Sequence, residues 1–394
     1  MRQKAQDGHT VPLTVLVILV TASMRVPIGC VGPLIGSVRE DLNLASGMAG
    51  FMTTIPMLIF AFSAPVASRL TKAVNNRIVL AGSVGLCCAG VFLRSGGSVS
   101  LLFTGTGFIG LSIGILNVYM PAMIRQHFAK VGLMMGTYSA VMTASSAISA
   151  AGCRRLAAWL GGWQGGMAVY VVVPIAALVL CCVCKNEIAP HLPEPEGPEK
   201  GVSVWTRKNV AIAVFLGLQS LLFFSLLTWY PSIIEAMLPG KFDPGMIVLL
   251  MQLVSMIAAF FAPNLAERVC SRGLLCFLTT GLLAIGFVAL TLTGTYPAGL
   301  LGATVLIGLG CGATMSLAMN LIAMQGDNAA QVARNSAFIQ FFSYMLGALG
   351  PTGLGFLYDR AGRWPMAIWV MFGVSLAMAF TGLYAGKHDK AVKD

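Results

Sequence analysis

The sequence predicts an all-α membrane protein of twelve spanning helices, arranged as two six-helix halves. Three observations carry this. Of the 394 residues, 57% are hydrophobic and only 10% are charged, against roughly 25% charged in a soluble domain. A water-soluble globule could not cover its surface with so few charges, and a disordered chain would not be so apolar. The apolar runs are continuous over about twenty residues or more, the length of a spanning helix. They do not alternate over about ten residues as barrel strands do, and only helices and closed barrels bond every backbone amide and carbonyl inside lipid. Finally, a single solvated segment divides the runs six and six.

In chain order the spans are read at 11–38, 46–67, 78–96, 99–124, 132–153, 163–184, 209–235, 244–266, 273–293, 296–322, 331–357 and 365–386. The first is too long for a cleaved signal peptide and lacks a small-residue cleavage site. Between spans six and seven, Pro190, Pro193, Pro195 and Pro198 are interleaved with Glu187, Glu194, Glu196 and Glu199, a linker composition. The expected organisation is an N-terminal bundle over 1–184, a cytoplasmic linker over 185–208 and a C-terminal bundle over 209–394.

Basic residues set the orientation. With the N-terminus inside, 17 Lys and Arg fall on cytoplasmic ends and loops and 7 on the other side, Arg94 among the latter. This asymmetry places both termini in the cytoplasm. It also accounts for the net charge of +11 as topology signals over short loops, so no nucleic-acid partner is implied.

The two halves match at one offset. Gly47-Met48 recurs as Gly245-Met246, Ala64-Pro65 as Ala262-Pro263, and Gly152 as Gly350. Ile109-Gly110-Leu111 with Gly114 recurs as Ile307-Gly308-Leu309 with Gly312, and all of these pairs lie 198 residues apart. Two same-direction six-helix repeats are the architecture of major facilitator carriers, whose halves rock about a midplane site.

Arg25 is the one charge read well inside a span, about fourteen residues into the first. A cation there costs several kcal/mol unless it faces a cavity or partner, and intramembrane charges mark functional sites. Gly29, Gly32 and Gly36 continue its face outward. Arg25 is therefore a candidate clamp for an anionic or strongly dipolar solute; the alternative is a structural Arg bonded to carbonyls of neighbouring helices. Neutral polar groups inside other spans complete the candidate solute site: Asn117 and Tyr119, Gln219 and Trp229, Gln252, Asn320, and Gln340 with Tyr344. Each alone could equally be an interhelical hydrogen bond. Arg69 after span two, and Glu267, Arg268 and Arg272 after span eight, are candidate gating latches, with positive-inside signalling as the alternative.

Other patterns point elsewhere. Gly105-Thr106-Gly107-Phe108-Ile109-Gly110 fits the dinucleotide fingerprint, but it lies inside an apolar run with no acidic residue until Glu187, so nucleotide binding is rejected. Gly107, Gly110, Gly114, Asn117 and Pro121 instead form a small-residue stripe expected to face protein. All 14 acids fall in loops or at helix ends, which leaves no midplane carboxylate as proton relay. Cys181, Cys182 and Cys184 lack a second pair or a nearby His, so no metal site is expected. Neither a buried acid pair nor a nucleophile–His arrangement points to an enzyme, and no cofactor is implied.

Several motifs resemble a known family. Met24-Arg25-Val26-Pro27, Val31-Gly32-Pro33-Leu34 and Arg39 are similar to the opening span of the cyanate and 2-nitroimidazole permeases of the major facilitator superfamily. Thr53-Thr54-Ile55-Pro56, Asn117-Val118, Pro121, Ile124-Arg125, Trp229-Tyr230-Pro231, Gly312-Ala313-Thr314-Met315 and Gly350-Pro351 extend the likeness from about 11 to 386. Ser68-Arg69-Leu70-Thr71-Lys72 departs from the superfamily's usual loop, lacking its Gly and Asp, while Glu267-Arg268 keeps the acid–base pair. The resemblance implies a multi-pass inner-membrane permease, acting as a monomer in the bilayer and moving a small polar or anionic solute by alternating access. A membrane sensor that binds without translocating is the alternative, and its usual mark, an added output domain, is not seen in the short tails. Reporter fusions after Arg77, at Pro195 and at the C-terminus should read cytoplasmic, and one within Gly240–Asp243 external; an external signal at Pro195 would overturn the six-plus-six division.

Overall fold

The computed structural model describes the backbone of residues 2–128, 130–184, 203–268, 271–325 and 329–387, and their side chains apart from 2–10, 63–73, 131–132, 264, 267–268, 329–330 and 333. The linker reading over 185–208 therefore falls mostly outside the described residues. Among those described there are helices and no strand. The first half carries α1 (Arg2–Gly29), α2 (Val31–Leu42), α3 (Ser46–Ala73), α4 (Asn76–Arg94), α5 (Val99–His127), α6 (Val131–Trp159), α7 (Trp163–Ala168), a 3-10 turn (Val169–Val171) and α8 (Val172–Val183). The second carries α9 (Arg207–Met237), α10 (Pro244–Arg268), α11 (Arg272–Thr293), α12 (Pro297–Ala323), α13 (Ala329–Gly347), α14 (Leu349–Ala361) and α15 (Trp364–Ala385).

These helices group into the twelve expected segments, three of which are interrupted. By length and composition, nine of the described helices can cross a membrane. The others are less apolar for a visible reason: α6 carries Thr137, Ser139, Thr143, Ser145, Ser146 and Ser149, and α13 carries Asn335, Ser336, Gln340 and Ser343. The shorter apolar stretch Ser46–Phe62 lies within α3.

Proline explains two of the interruptions. It lacks an N–H, so the carbonyl four residues earlier loses its donor. Pro27 and Pro33 leave the carbonyls of Ser23 and Gly29 without one, and the first segment breaks at Cys30. Pro351 does the same to Gly347, and segment eleven breaks at Ala348. Pro231 stands 198 residues after Pro33, yet α9 is continuous there. Two prolines and two glycines crowd residues 27–33, whereas Pro231 follows a run of large side chains from Phe223 to Tyr230.

The chain divides into two compact units, Met1–Pro195 and Glu196–Asp394. Within the first, α5 packs on α3 and α4, and α1 on α6 and α8. Within the second, α12 packs on α10 and α11, and α9 on α13 and α15. The neighbours are the same six segments further on. The repeat extends to residues. A Cβ on Gly110 would meet Pro56 Cα at 2.9 Å, and one on Gly308 would meet Val254 Cβ at 3.0 Å; both partners keep the 198 offset. The backbone N of Ile109 lies 2.8 Å from such a Cβ on Gly90, and that of Ile307 3.0 Å from one on Gly286. The isoleucines are 198 apart and the glycines 196, so segments three and nine have slipped by two residues against the gapless offset.

Such approaches require glycine. On α12, a Cβ at Gly312 would drive into the carbonyl of Ser255, whereas at Gly302 nothing lies within 4 Å. Gly312→Ala should therefore destabilise the protein by about 1–3 kcal/mol, the usual effect of overpacking. Gly302→Ala should leave it unchanged, as read by thermal unfolding in detergent.

Candidate functional site

Arg25 sits on a helix with two faces. One face of α1 is sealed: Leu16, Val17, Val20 and Met24 are all 0% exposed. The other runs from Val11 and Val15 through Ile18 and Ala22 to Arg25, all partly or fully exposed. The guanidinium makes no hydrogen bond or ion pair to any described residue, so the alternative of a structural Arg tied to neighbouring carbonyls is not realised among them. The glycines after it do not continue one face, because the break at Cys30 intervenes. Gly29 packs against Ser146 and Ser149 of α6, while Gly36 faces open space.

On α5, Asn117 is half-buried and its Oδ1 accepts a long hydrogen bond from the Tyr138 hydroxyl at 3.5 Å. Tyr119 is 1% exposed and its hydroxyl finds no partner. The stripe through these residues faces protein at Gly110, but Gly107 opens onto empty space. The fingerprint look-alike at Gly105–Gly110 lies within the helix Val99–His127, with no strand before it.

In the second half the polar candidates separate into two groups. Gln219 is buried, with its Nε2 directed to the Cys311 carbonyl at 3.4 Å. Trp229 is 0% exposed; its Nε1 donates to the Pro351 carbonyl at 2.7 Å and its ring lies 5.5 Å from that of Trp364. Their polar atoms serve helix packing inside the half. Asn320, Gln340 and Tyr344 are half-buried. Asn320 makes no hydrogen bond to a described residue, and Gln340 Nε2 donates to Ser336 Oγ one turn back at 2.8 Å. Gln252 is buried with its Nε2 unpaired.

The side chains of Arg69, Glu267 and Arg268 lie outside the described residues. Arg272 opens α11 immediately after Ser271, whose hydroxyl caps the Leu274 amide at 3.3 Å.

Sequence reasoning missed Arg94. Read as an outer topology signal, it is instead 1% exposed, so Arg25 is not the only charge drawn into the helical layer. From the last turn of α4, Arg94 Nη1 donates to the Pro27 carbonyl at 2.6 Å and Nη2 to Cys30 Sγ at 3.5 Å. Cys87, on the same face, donates its thiol to the Ser23 carbonyl at 3.5 Å. The available signal was the crowding of Pro27, Gly29, Gly32 and Pro33: a helix that breaks inside a span leaves its last carbonyls for some neighbour to serve. Beyond the break, Asp41 Oδ2 accepts from Trp163 Nε1 at 2.9 Å and from Gln164 Nε2 at 3.0 Å, which ties α2 to α7.

An all-helical chain of repeated six-segment halves, with a charge held open inside a span, defines a multi-pass membrane transporter rather than an enzyme. Residues 17–351 match the Major Facilitator Superfamily, and the chain belongs to it, in the group of the cyanate and 2-nitroimidazole permeases. It is 30% identical to the 2-nitroimidazole transporter of Escherichia coli (strain K12), covering 96% of this chain and 95% of that one. It is 26% identical to the cyanate transport protein CynX of the same organism, over 90% of this chain and 92% of the other. Among solved structures it resembles a D-xylose–proton symporter with a TM-score of 0.78 at 12% identity, covering 97% of this chain and 99% of that one, a likeness of fold.

Trp229→Phe keeps an aromatic ring but removes the indole N–H that reaches the Pro351 carbonyl. It should lower stability by about 0.5–1.5 kcal/mol, the net worth of a hydrogen bond, whereas Asn320→Ala should not; thermal unfolding of the purified variants distinguishes them.

Proposed function

We propose that the protein carries a small polar or anionic solute, of the cyanate or nitroimidazole type, across the cell's inner membrane by alternating access, with Arg25 as the solute clamp. The observation that carries this reading is Arg25 itself, half-buried on the open face of α1 with its guanidinium bonded to no described residue. A cation in that position costs several kcal/mol, and a solute that accepts its hydrogen bonds offsets the cost. The planar fork presents parallel donors. A nitro group offers two oxygens in the geometry of a carboxylate, and cyanate offers a single negative charge shared between its oxygen and nitrogen ends, so both relatives' solutes can accept from the guanidinium.

Asn117, Asn320, Gln340 and Tyr344 join the proposal as neutral contacts, because each is only half-buried. Tyr119, Gln219 and Trp229 shape the helices behind them. The bundles at 1–184 and 209–394, the linker at 185–208, cytoplasmic termini and a monomeric carrier complete the reading. The charged turns at Arg69 and at Glu267, Arg268 and Arg272 are retained as cytoplasmic latches because they follow the equivalent segments two and eight. No observation favours a sensor over a carrier.

The test is uptake of cyanate and of 2-nitroimidazole into vesicles, with and without a proton gradient, together with binding by purified variants. Hydrogen bonds to a charged group contribute about 1.5–3 kcal/mol, so Arg25→Gln should weaken binding by about tenfold or more. Arg25→Lys keeps the charge but loses the fork, and should weaken it similarly. Wild-type affinity in folded Arg25→Lys would show that Arg25 is not the clamp.

A further inference from the structure

We infer that Arg94 is a positioning residue for Arg25: its buried guanidinium fastens the interrupted first segment so that the solute clamp is held in place. The inference rests on Arg25 being the clamp. Arg25 lies midway between Ser23 and Pro27, whose carbonyls are both gripped from α4. The thiol of Cys87 donates to the first at 3.5 Å and Arg94 Nη1 to the second at 2.6 Å. Ser23 and Pro27 are about one helical turn apart, so they share a face, and Arg25 between them projects from roughly the opposite one. The grip is on the buried side, and the open side is left to Arg25.

The lengths of the two donors fit their task. Cys87 and Arg94 are seven residues apart, about two turns of α4, while their acceptors are only about one turn apart on α1. A short thiol serves the near carbonyl and a long side chain reaches back to the far one. The grip is needed because Pro27 supplies no amide to Ser23 and the helix ends two residues later, at Gly29. The turn carrying Arg25 is thus the one with the weakest backbone support in the segment. The platform is itself firm: α4 and α5 touch through Gly90 and Gly105, and Ser112 Oγ donates to the Ser83 carbonyl at 2.6 Å.

Packing alone does not explain an arginine here. Arg94 has no carboxylate partner among the described residues, and its Nε is unpaired. A Leu or Met would fill the volume without burying a charge. What the guanidinium adds is a pair of donors at the break, to the Pro27 carbonyl and to Cys30 Sγ, the latter at 3.5 Å.

The test compares wild type, Arg94→Met and Arg94→Lys as full-length purified protein. Hydrogen exchange is followed by mass spectrometry, and binding is measured with cyanate and with 2-nitroimidazole. Arg94→Met should speed amide exchange over 22–32 at least tenfold while leaving α5 and α6 unchanged, and should weaken solute binding about tenfold in the folded fraction. Arg94→Lys, with donors at a single point, should fall between the two on both measures, and it decides the matter alone if Arg94→Met is lost from the membrane. Unchanged exchange over 22–32, or acceleration spread evenly through the first half with solute affinity intact, would reduce Arg94 to a general packing role and overturn the inference. If wild type binds neither probe, the proposed solute class fails, while the exchange measurement still decides whether Arg94 holds the break.

Discussion

Inside a bilayer, a carbonyl without its amide must find another donor, because no water is there to supply one. Much of this protein's architecture follows from that single requirement. Pro27 breaks one rung of α1 by leaving the Ser23 carbonyl without its amide, and the Cys87 thiol of α4 replaces it. Arg94 adds a donor to the Pro27 carbonyl near the end of α1, at 2.6 Å, and the indole of Trp229 adds one to the Pro351 carbonyl beyond the break in segment eleven, at 2.7 Å. Serine hydroxyls add further donors between helices, as where Ser343 Oγ donates to the Ala213 carbonyl at 3.0 Å and Ser255 Oγ to that of Gly308 at 2.9 Å. These bonds are modest individually, typically below about 2 kcal/mol. Their consequence is positional: they decide where a segment is allowed to be irregular.

Two arginines in the first half illustrate how environment divides one chemistry into two roles. Arg94 is 1% exposed, its two terminal nitrogens given to the break. Arg25, on the helix that Arg94 grips, gives nothing to any described residue. A buried cation whose terminal nitrogens are already bonded cannot bind a solute without first breaking those bonds, whereas an unbonded one on an open face gains from any acceptor that reaches it. The asymmetry of bonding, rather than the presence of charge, singles out Arg25.

Much of the fold was legible because it is written in short-range pattern. Continuous apolar runs locate the segments, and a fixed offset reveals the repeat, which the structure repeats contact by contact at Gly110 on Pro56 and Gly308 on Val254. Where the reading slipped, partners distant in sequence were the reason. Arg94 meets Pro27 across 67 residues, and Trp229 meets Pro351 across 122. At a segment end, a basic residue that signals topology and one that turns inward to serve a carbonyl are identical in sequence. Trp229 was grouped with solute contacts by its polar tip and its segment; only its partner shows that the tip is already occupied. Arg25 could be read in advance because charge within a span is rare enough to stand out alone.

The repeat is also informative where it fails. The position 198 residues after Arg25 is Phe223, and the segment there stays continuous through Pro231. The first half therefore carries both the broken first segment and a cation bonded to no described residue, while the matching position of the second half is apolar. A second cation would bind a dianion more tightly, but it would double the cost of an empty site inside the membrane. A single fork with neutral amides suits a solute with one negative charge, or with one strongly dipolar group and an otherwise uncharged body. Such a solute can leave as readily as it arrives, because only one charge-assisted contact has to be broken. A carrier with the proposed clamp needs that balance, and a cation in only one half supplies it.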